Sequence, residues 1–241
     1  MKSMIFAAGK GKRLGAVTAT RPKALVEING KTILRMAVEL VASHGFNDII
    51  INVHHFADLV ENEIKHLRSE GFKISVSDER DMLLETGGGL FIAKWFFDKE
   101  PFLLYNTDII TDLDLAALYR FHKMNNGIAT LAVAERNDNR VFLINREGII
   151  CGWLNRKTGE RIISRNEKDP LTEIAFSGIH IVSPDIFNYM NEGVYSMTSL
   201  YLQLGGSHEI FTYRHDNNFW ADIGTPDDLE LVRSHFGDKN L

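Results

Sequence analysis

Between residues 3 and 134 short apolar runs alternate with amphipathic stretches, and few architectures accept that order. Residues 3–7 read as a buried strand, 33–44 as a helix ending at Gly45, 48–53 as a strand and 58–68 as a helix. The alternation continues with a strand at 73–77, a helix at 89–97, a strand at 102–106, a helix at 113–124 and a strand at 128–134. Strands separated by helices pair in parallel, and the helices cover the sheet. The expected class is therefore α/β: a Rossmann-like, mostly parallel mixed sheet with helices on both faces. After residue 135 the pattern loosens into short strands at 141–145, 148–154 and 161–164, then a longer one at 174–182. Ser183-Pro184 opens a helix at 184–190, with Ser183 as N-cap, and Thr225-Pro226-Asp227-Asp228 opens the last helix in the same way. No linker divides the 241 residues, so 1–241 read as one domain.

Charge narrows the function. The net charge of −5 disfavours nucleic acid as a partner. Yet residues 1–26 hold six cations (Lys2, Lys10, Lys12, Arg13, Arg21, Lys23) and no acid, leaving 21 basic against 32 acidic residues elsewhere. Positive charge gathered around one loop of an acidic chain suits a small polyanion; a solvated basic turn is the plainer alternative. The single cysteine, Cys151, suits a reducing compartment, and the first residues lack the apolar stretch of a signal peptide. No run is long enough to span a bilayer. The expectation is a cytoplasmic protein, with no membrane partner, as a monomer or small homo-oligomer.

Five stretches could carry chemistry. Gly9-Lys10-Gly11-Lys12-Arg13-Leu14-Gly15 follows the first strand and so lies at the carboxyl edge of the sheet, where open α/β folds bind ligands. Its spacing is neither a dinucleotide fingerprint nor a Walker A loop. Glycine amides can still cradle phosphate oxygens, and Arg13 can add a forked contact. In Arg21-Pro22-Lys23 the proline fixes the backbone under a lysine that can place a point charge on a phosphate. Glu85-Thr86-Gly87-Gly88-Gly89 could let a nucleobase lie against the main chain, or could be a flexible connection. Asn106-Thr107-Asp108 ends an apolar strand on the same edge, and Asp222 sits in the apolar run Phe219–Ile223. Carboxylates beside phosphate-binding cations suit a bridging Mg²⁺, with Asp108 and Asp222 as its ligands. Asp112 or Asp114 can cap the helix that follows. His54-His55 and histidines 180, 208 and 215 form no ligand spacing, and Trp95-Phe96-Phe97 reads as core.

Taken together and in order, Ala7-Ala8-Gly9-Lys10-Gly11-Lys12-Arg13, Arg21-Pro22-Lys23-Ala24-Leu25, Asn106-Thr107-Asp108 and Trp220-Ala221-Asp222-Ile223-Gly224-Thr225-Pro226 resemble the sugar-1-phosphate nucleotidyltransferases. Leu84-Glu85-Thr86-Gly87-Gly88-Gly89 and Phe176-Ser177-Gly178-Ile179 look most like the N-acetylmuramate-1-phosphate uridylyltransferase subgroup, which lacks a left-handed β-helix domain. Thr107 departs from the glycine usual between Asn106 and Asp108. Glu167-Lys168-Asp169-Pro170 is an imperfect version of a Glu-Lys-Pro segment.

The resemblance implies the nucleotide-diphospho-sugar transferase fold and a Mg²⁺-dependent enzyme. A sugar-1-phosphate oxygen attacks the α-phosphorus of a nucleoside triphosphate, UTP first, and pyrophosphate leaves. Residues 1–135 form the nucleotide half, with Arg13 and Lys23 catalytic and Ala7, Ala8, Gly9, Lys10, Gly11, Lys12, Arg13, Glu85, Thr86, Gly87, Gly88, Asn106, Thr107 and Asp108 around the nucleotide. Residues 136–241 form the sugar half, with Glu173, Ser177, Gly178 and Lys168 on the sugar and Asp222 as second metal ligand. The rivals are cytidylyl or guanylyl transfer to phosphocholine, mannose-1-phosphate or heptose-1-phosphate, and a nucleotide-sugar sensor without catalysis.

Overall fold

The structure is a computed structural model. It describes residues 1–9, 11, 14, 15, 18 and 20–237, the last two by backbone alone. Chain contacts resolve into two compact units, which the chain enters more than once: residues 1–84, 104–113 and 219–241, and residues 85–103 and 114–218.

In the first unit, strands Lys2–Phe6, Asp48–Val53 and Lys73–Asp78 run parallel, with Phe6 opposite Asn52 and Asn52 opposite Ser77. The central one, Asp48–Val53, carries a near-continuous apolar run and is buried throughout from Ile49 to Val53, whereas Lys73–Asp78 alternates and is partly exposed. Helix Ile33–Ser43 buries Ile33, Leu34, Ala37, Val38 and Val41, one face at helical spacing. It is capped by the Thr32 hydroxyl, which accepts from the Arg35 N–H, and ends at Gly45, whose φ is +86°. Helix Ala57–Ser69 returns the chain to the third strand. The final helix, Pro226–Gly237, starts with a reciprocal clasp. Asp228 accepts from the Gly224 and Thr225 N–H groups and from the Thr225 hydroxyl, while its own N–H donates to Thr225 Oγ1. Leu229 and Val232 of this helix join Leu14, Val26, Ile28, Ile33, Ile110 and Ile223 in one core cluster.

In the second unit the strand order is Arg161–Ile163, Ile150–Asn155, Arg140–Ile144, Thr172–Val182, Ala129–Ala134 and Ile210–Arg214, antiparallel except for the last pair. The eleven-residue strand Thr172–Val182 serves two neighbours, and its register shifts between Phe176 and His180. Gly178 lies at that irregularity with φ +74°. Helix Leu115–Asn125 is capped by Asp114, which accepts from the Ala117 N–H. The mixed α/β architecture expected from the alternation is therefore present, with parallel strands in the first unit and mostly antiparallel ones in the second.

Some local expectations need correction. The helix expected at 89–97 is Glu85–Ile92 followed by a 3₁₀ turn, Ala93–Phe96. That turn swings Trp95 outward to 65% exposure, so it is not core, whereas Phe97 stacks on Phe102. Pro184–Tyr189 is 3₁₀ rather than α, and Ser183 makes no side-chain cap. Helix Met197–Leu204 and strands Ile109–Thr111 and Ile210–Arg214 have no counterpart in the sequence reading.

Candidate active site

The first unit gathers Lys23, Asp108 and Asp222, and backbone pairing between distant segments explains how. Strand Phe102–Asn106 ends at Thr107, whose N–H and hydroxyl both donate to the Phe6 carbonyl, at 3.2 and 2.5 Å. Thr107 thus ties this strand end to the first strand, a use the sequence did not disclose. Asp108 follows, and Ile109–Thr111 turns into a two-stranded antiparallel ladder with Trp220–Asp222, placing Asp222 opposite Ile109. The Ile223 N–H donates to the Asp108 carbonyl at 2.9 Å, and the Tyr105 hydroxyl donates to the Ile109 carbonyl at 2.7 Å. Asp112 closes the far end by accepting from the Phe219 N–H. The two acids are neighbours because this ladder makes them so.

Lys23 meets them from a rigid base. Pro22 is buried and extended at φ −70°, ψ 154°, and Lys23–Leu25 forms a single 3₁₀ turn. Lys23 Nζ lies 2.6 Å from Asp108 Oδ2 and 3.5 Å from Asp222 Oδ1. The lysine side chain is 13% exposed, the two carboxylates 30% and 35%. Gly11 makes room for it. Its φ is +59°, and a Cβ there would stand 2.9 Å from Lys23 Cβ. The Gly11 carbonyl accepts from the Leu14 N–H and the Thr18 hydroxyl, which fixes the turn.

The rest of the glycine turn divides. Lys10, Lys12 and Arg13 lie outside the described residues. Gly9 is exposed with open space around it, and Ala8 is buried. Ala7 is buried and its amide has a partner within the fold. Its N–H donates to Asn52 Oδ1 at 2.7 Å, and Asn52 Nδ2 donates in turn to Glu79 Oε1 at 2.8 Å. Burial pushes the Glu79 carboxyl above its ordinary range, opposed by the bond from Asn52. Asn52 and Glu79 went unnoticed in the sequence, although a polar residue inside the apolar run 49–53 was a local sign.

Two hard carboxylates suit a divalent cation that keeps water and phosphate oxygens as its other ligands. Among the described residues no group of three or more His, Cys, Asp or Glu could hold a metal by itself. The two carboxylates would fit a divalent cation that draws its remaining oxygen ligands from elsewhere.

In the second unit, the Thr86-Gly87-Gly88 segment is engaged within the fold. The Gly87 and Gly88 N–H groups donate to the Tyr195 carbonyl at 2.8 and 3.3 Å, and Thr86 Oγ1 accepts from the Met197 N–H at 2.9 Å. A Cβ at Gly87 would fall 2.4 Å from the Tyr195 ring. Glu85 is exposed with a left-handed φ of +57°. Asn106, in the first unit, is half-buried. The Ser177 side chain is fully buried: Arg136 Nη1 donates to its oxygen at 2.9 Å, and His215 Nε2 lies 2.6 Å from it. Arg136 Nη2 also donates to the Phe176 carbonyl. Ser177 is thus a tether for the irregular strand, and its neighbour Gly178 is buried with it. Glu173 pairs with Arg156 at 2.7 Å, and Lys168 is exposed. Arg136 and His215 carry this arrangement and were not among the sequence candidates. His180 is buried against the Tyr201 hydroxyl, and Cys151 is a buried free thiol. No helix of the described residues is long and apolar enough to cross a membrane.

A family model described as nucleotidyl transferase matches residues 2–238. The UTP–glucose-1-phosphate uridylyltransferase of Synechocystis is 30% identical over 97% of this chain and 63% of its own length. The mannose-1-phosphate guanyltransferase of Yarrowia lipolytica is 29% identical over 95% of this chain and 62% of its own. The chain thus spans under two thirds of the length of these two relatives. The N-acetylmuramate alpha-1-phosphate uridylyltransferase of Caulobacter vibrioides is 28% identical over 93% of this chain and 92% of its own.

Proposed function

The chain belongs to the nucleotidyl transferase family, and from that premise we propose that it joins a sugar-1-phosphate to the nucleoside monophosphate of a triphosphate. The favoured pair is UTP and N-acetylmuramate-1-phosphate or a related hexose-1-phosphate. The observation that carries this reading is one ammonium within 3.5 Å of two carboxylates that lie 114 positions apart in sequence, beside a glycine turn. A cation and an acid pair on a phosphate-sized scale serve charge neutralisation, which is what two highly charged reactants need when they meet.

In this reading a phosphate oxygen of the sugar substrate attacks the α-phosphorus, and the bond from that phosphorus to the bridging oxygen breaks. Pyrophosphate departs with the electron pair. The attacking oxygen is already ionised, so no side chain has to remove a proton. Lys23 offsets charge at the α-phosphorus, and the glycine turn with Arg13 holds the departing phosphates. Asp108 and Asp222 would hold Mg²⁺, which would supply positive charge to offset that of the phosphates. Residues 85–88 and 106–107 would serve the nucleotide, and Glu173, Lys168 and the backbone of Ser177-Gly178 would serve the sugar, the Ser177 hydroxyl being held by Arg136 and His215.

The test is a pyrophosphate-release screen of the full chain with four nucleoside triphosphates against several sugar-1-phosphates, with and without Mg²⁺. Turnover with UTP and a hexose-1-phosphate is expected; preference for GTP would move the assignment to guanylyl transfer, the reaction in the name of the Yarrowia relative. No release with any pair would overturn the reading. Asp108→Ala is expected to lower kcat/KM by roughly 10²–10³, as for loss of one preorganised charge-stabilising group. Near-normal turnover in that variant would remove Asp108 from the mechanism.

A further inference from the structure

Lys23 stands between the two carboxylates to which the proposed function gives the metal. A metal bound to both Asp108 and Asp222 sits about 2.1 Å from each oxygen, and Lys23 Nζ is already 2.6 Å from one and 3.5 Å from the other. An ammonium and a dication at that spot would draw on the same two carboxylates and repel each other at such short range. The lysine is nearly buried, with its stem against Gly11, so the contact belongs to the fold of the turn as well as to the surface. Its four-carbon stem nonetheless lets the head group move while the backbone stays fixed.

We infer that in the nucleotide-free protein the Lys23 ammonium occupies the cation position between Asp108 and Asp222 and competes with the metal for it. The inference rests on the reading above. A triphosphate changes the balance by giving the ammonium a new anionic partner and the metal additional oxygen ligands. Metal and nucleotide then load together, and the acid pair is not filled by metal beforehand. Lys23 acts in opposite directions in the two states: it weakens metal binding before the nucleotide arrives and serves the nucleotide's phosphates afterwards. A lysine acting only as a phosphate contact would leave nucleotide-free metal affinity untouched or, by its charge, alter it only slightly.

The experiment is a Mn²⁺ titration of the nucleotide-free full chain, read by the electron paramagnetic resonance of unbound Mn²⁺, for wild type, Lys23→Met and Lys23→Gln. Either variant suffices where the other does not fold. Asp108→Asn in the Lys23→Met background identifies the site. Expected is Mn²⁺ binding at least tenfold tighter in the lysine variants than in wild type, with the gain lost on adding Asp108→Asn. Equal or weaker binding in the folded variants would overturn the inference while leaving the enzyme reading in place. A parallel titration of wild type with Mn²⁺ and an α,β-methylene UTP analogue checks that reading. If the protein binds no Mn²⁺-analogue complex, nor the GTP, CTP and ATP counterparts, the reading falls and the role of Lys23 falls with it.

Discussion

Glycine is concentrated in two places, at 9–15 and 87–89, and the structure uses them for different ends. In the first, Gly11 and Gly15 take left-handed φ values of +59° and +55°, and Gly11 clears space for a lysine that meets two acids. In the second, the glycines sit inside helix Glu85–Ile92, buried, and Gly87 clears space for the ring and carbonyl of Tyr195. The shared principle is close approach, but what approaches differs: a charged side chain in one case and a packed segment in the other. A glycine run in a sequence therefore announces crowding without saying whether the crowding is chemical or structural.

The contrast can be broken by substitution. Gly87→Ala is expected to cost about 1–3 kcal/mol as an overpacked site, because a Cβ would meet the Tyr195 ring at 2.4 Å and its carbonyl at 2.8 Å. Thermal denaturation should show the loss. An unchanged melting temperature would mean that Gly87 is not fixed by packing. Gly11→Ala adds strain of roughly 1–2 kcal/mol for the left-handed backbone and also displaces Lys23. Its kcat/KM should therefore fall by about tenfold, or about 1.4 kcal/mol, beyond what lost stability explains. Equal damage to melting and turnover at both glycines would erase the distinction.

The packing side can be sharpened by pH. Helix Met197–Leu204, whose approach is fixed through Tyr195, also holds Tyr201 against His180. Burial pulls the His180 pKa down to about 3. The unfolded chain then takes up the proton first, so stability falls as pH drops from about 6.5 toward 3, by up to about 1.4 kcal/mol per pH unit. His180→Gln should flatten that part of the denaturation profile, and an unaltered slope would refute the assignment. The smallest effect is expected at Glu85, which holds a left-handed conformation without being glycine. Glu85→Gly should stabilise by about 1 kcal/mol or less, since relief of strain is partly offset by the entropy glycine loses. Destabilisation would show that the Glu85 side chain makes a contribution larger than its strain.

What could be read from sequence follows the same division. Strands Asp48–Val53 and Lys73–Asp78 and helix Ile33–Ser43 were legible because burial imposes a period on consecutive residues. Lys23, Asp108 and Asp222 stand out in the sequence, each being a charged residue next to a strand end or a proline turn, and the structure brings them together. The ladder that unites the acids was not. Ile109–Thr111 is three residues long, and its partner lies more than a hundred positions away. Nor could the sequence show that the Ala7 amide is taken by Asn52, or that Ser177 is closed off by Arg136 and His215. Those are long-range bonds to residues whose own neighbourhoods look ordinary. Trp95 misled because an aromatic cluster looks like core until a 3₁₀ turn aims one ring outward.

The central claim is that Asp108 and Asp222 hold one metal ion against a triphosphate. Anomalous diffraction from crystals grown with Mn²⁺ and a non-hydrolysable UTP analogue tests it most directly. A single Mn²⁺ peak within about 2.0–2.4 Å of an oxygen from each carboxylate, with phosphate oxygens completing its shell and Lys23 moved off Asp108, is the predicted result. A nucleotide bound with its metal elsewhere, and Lys23 still bridging the two acids, would contradict the account.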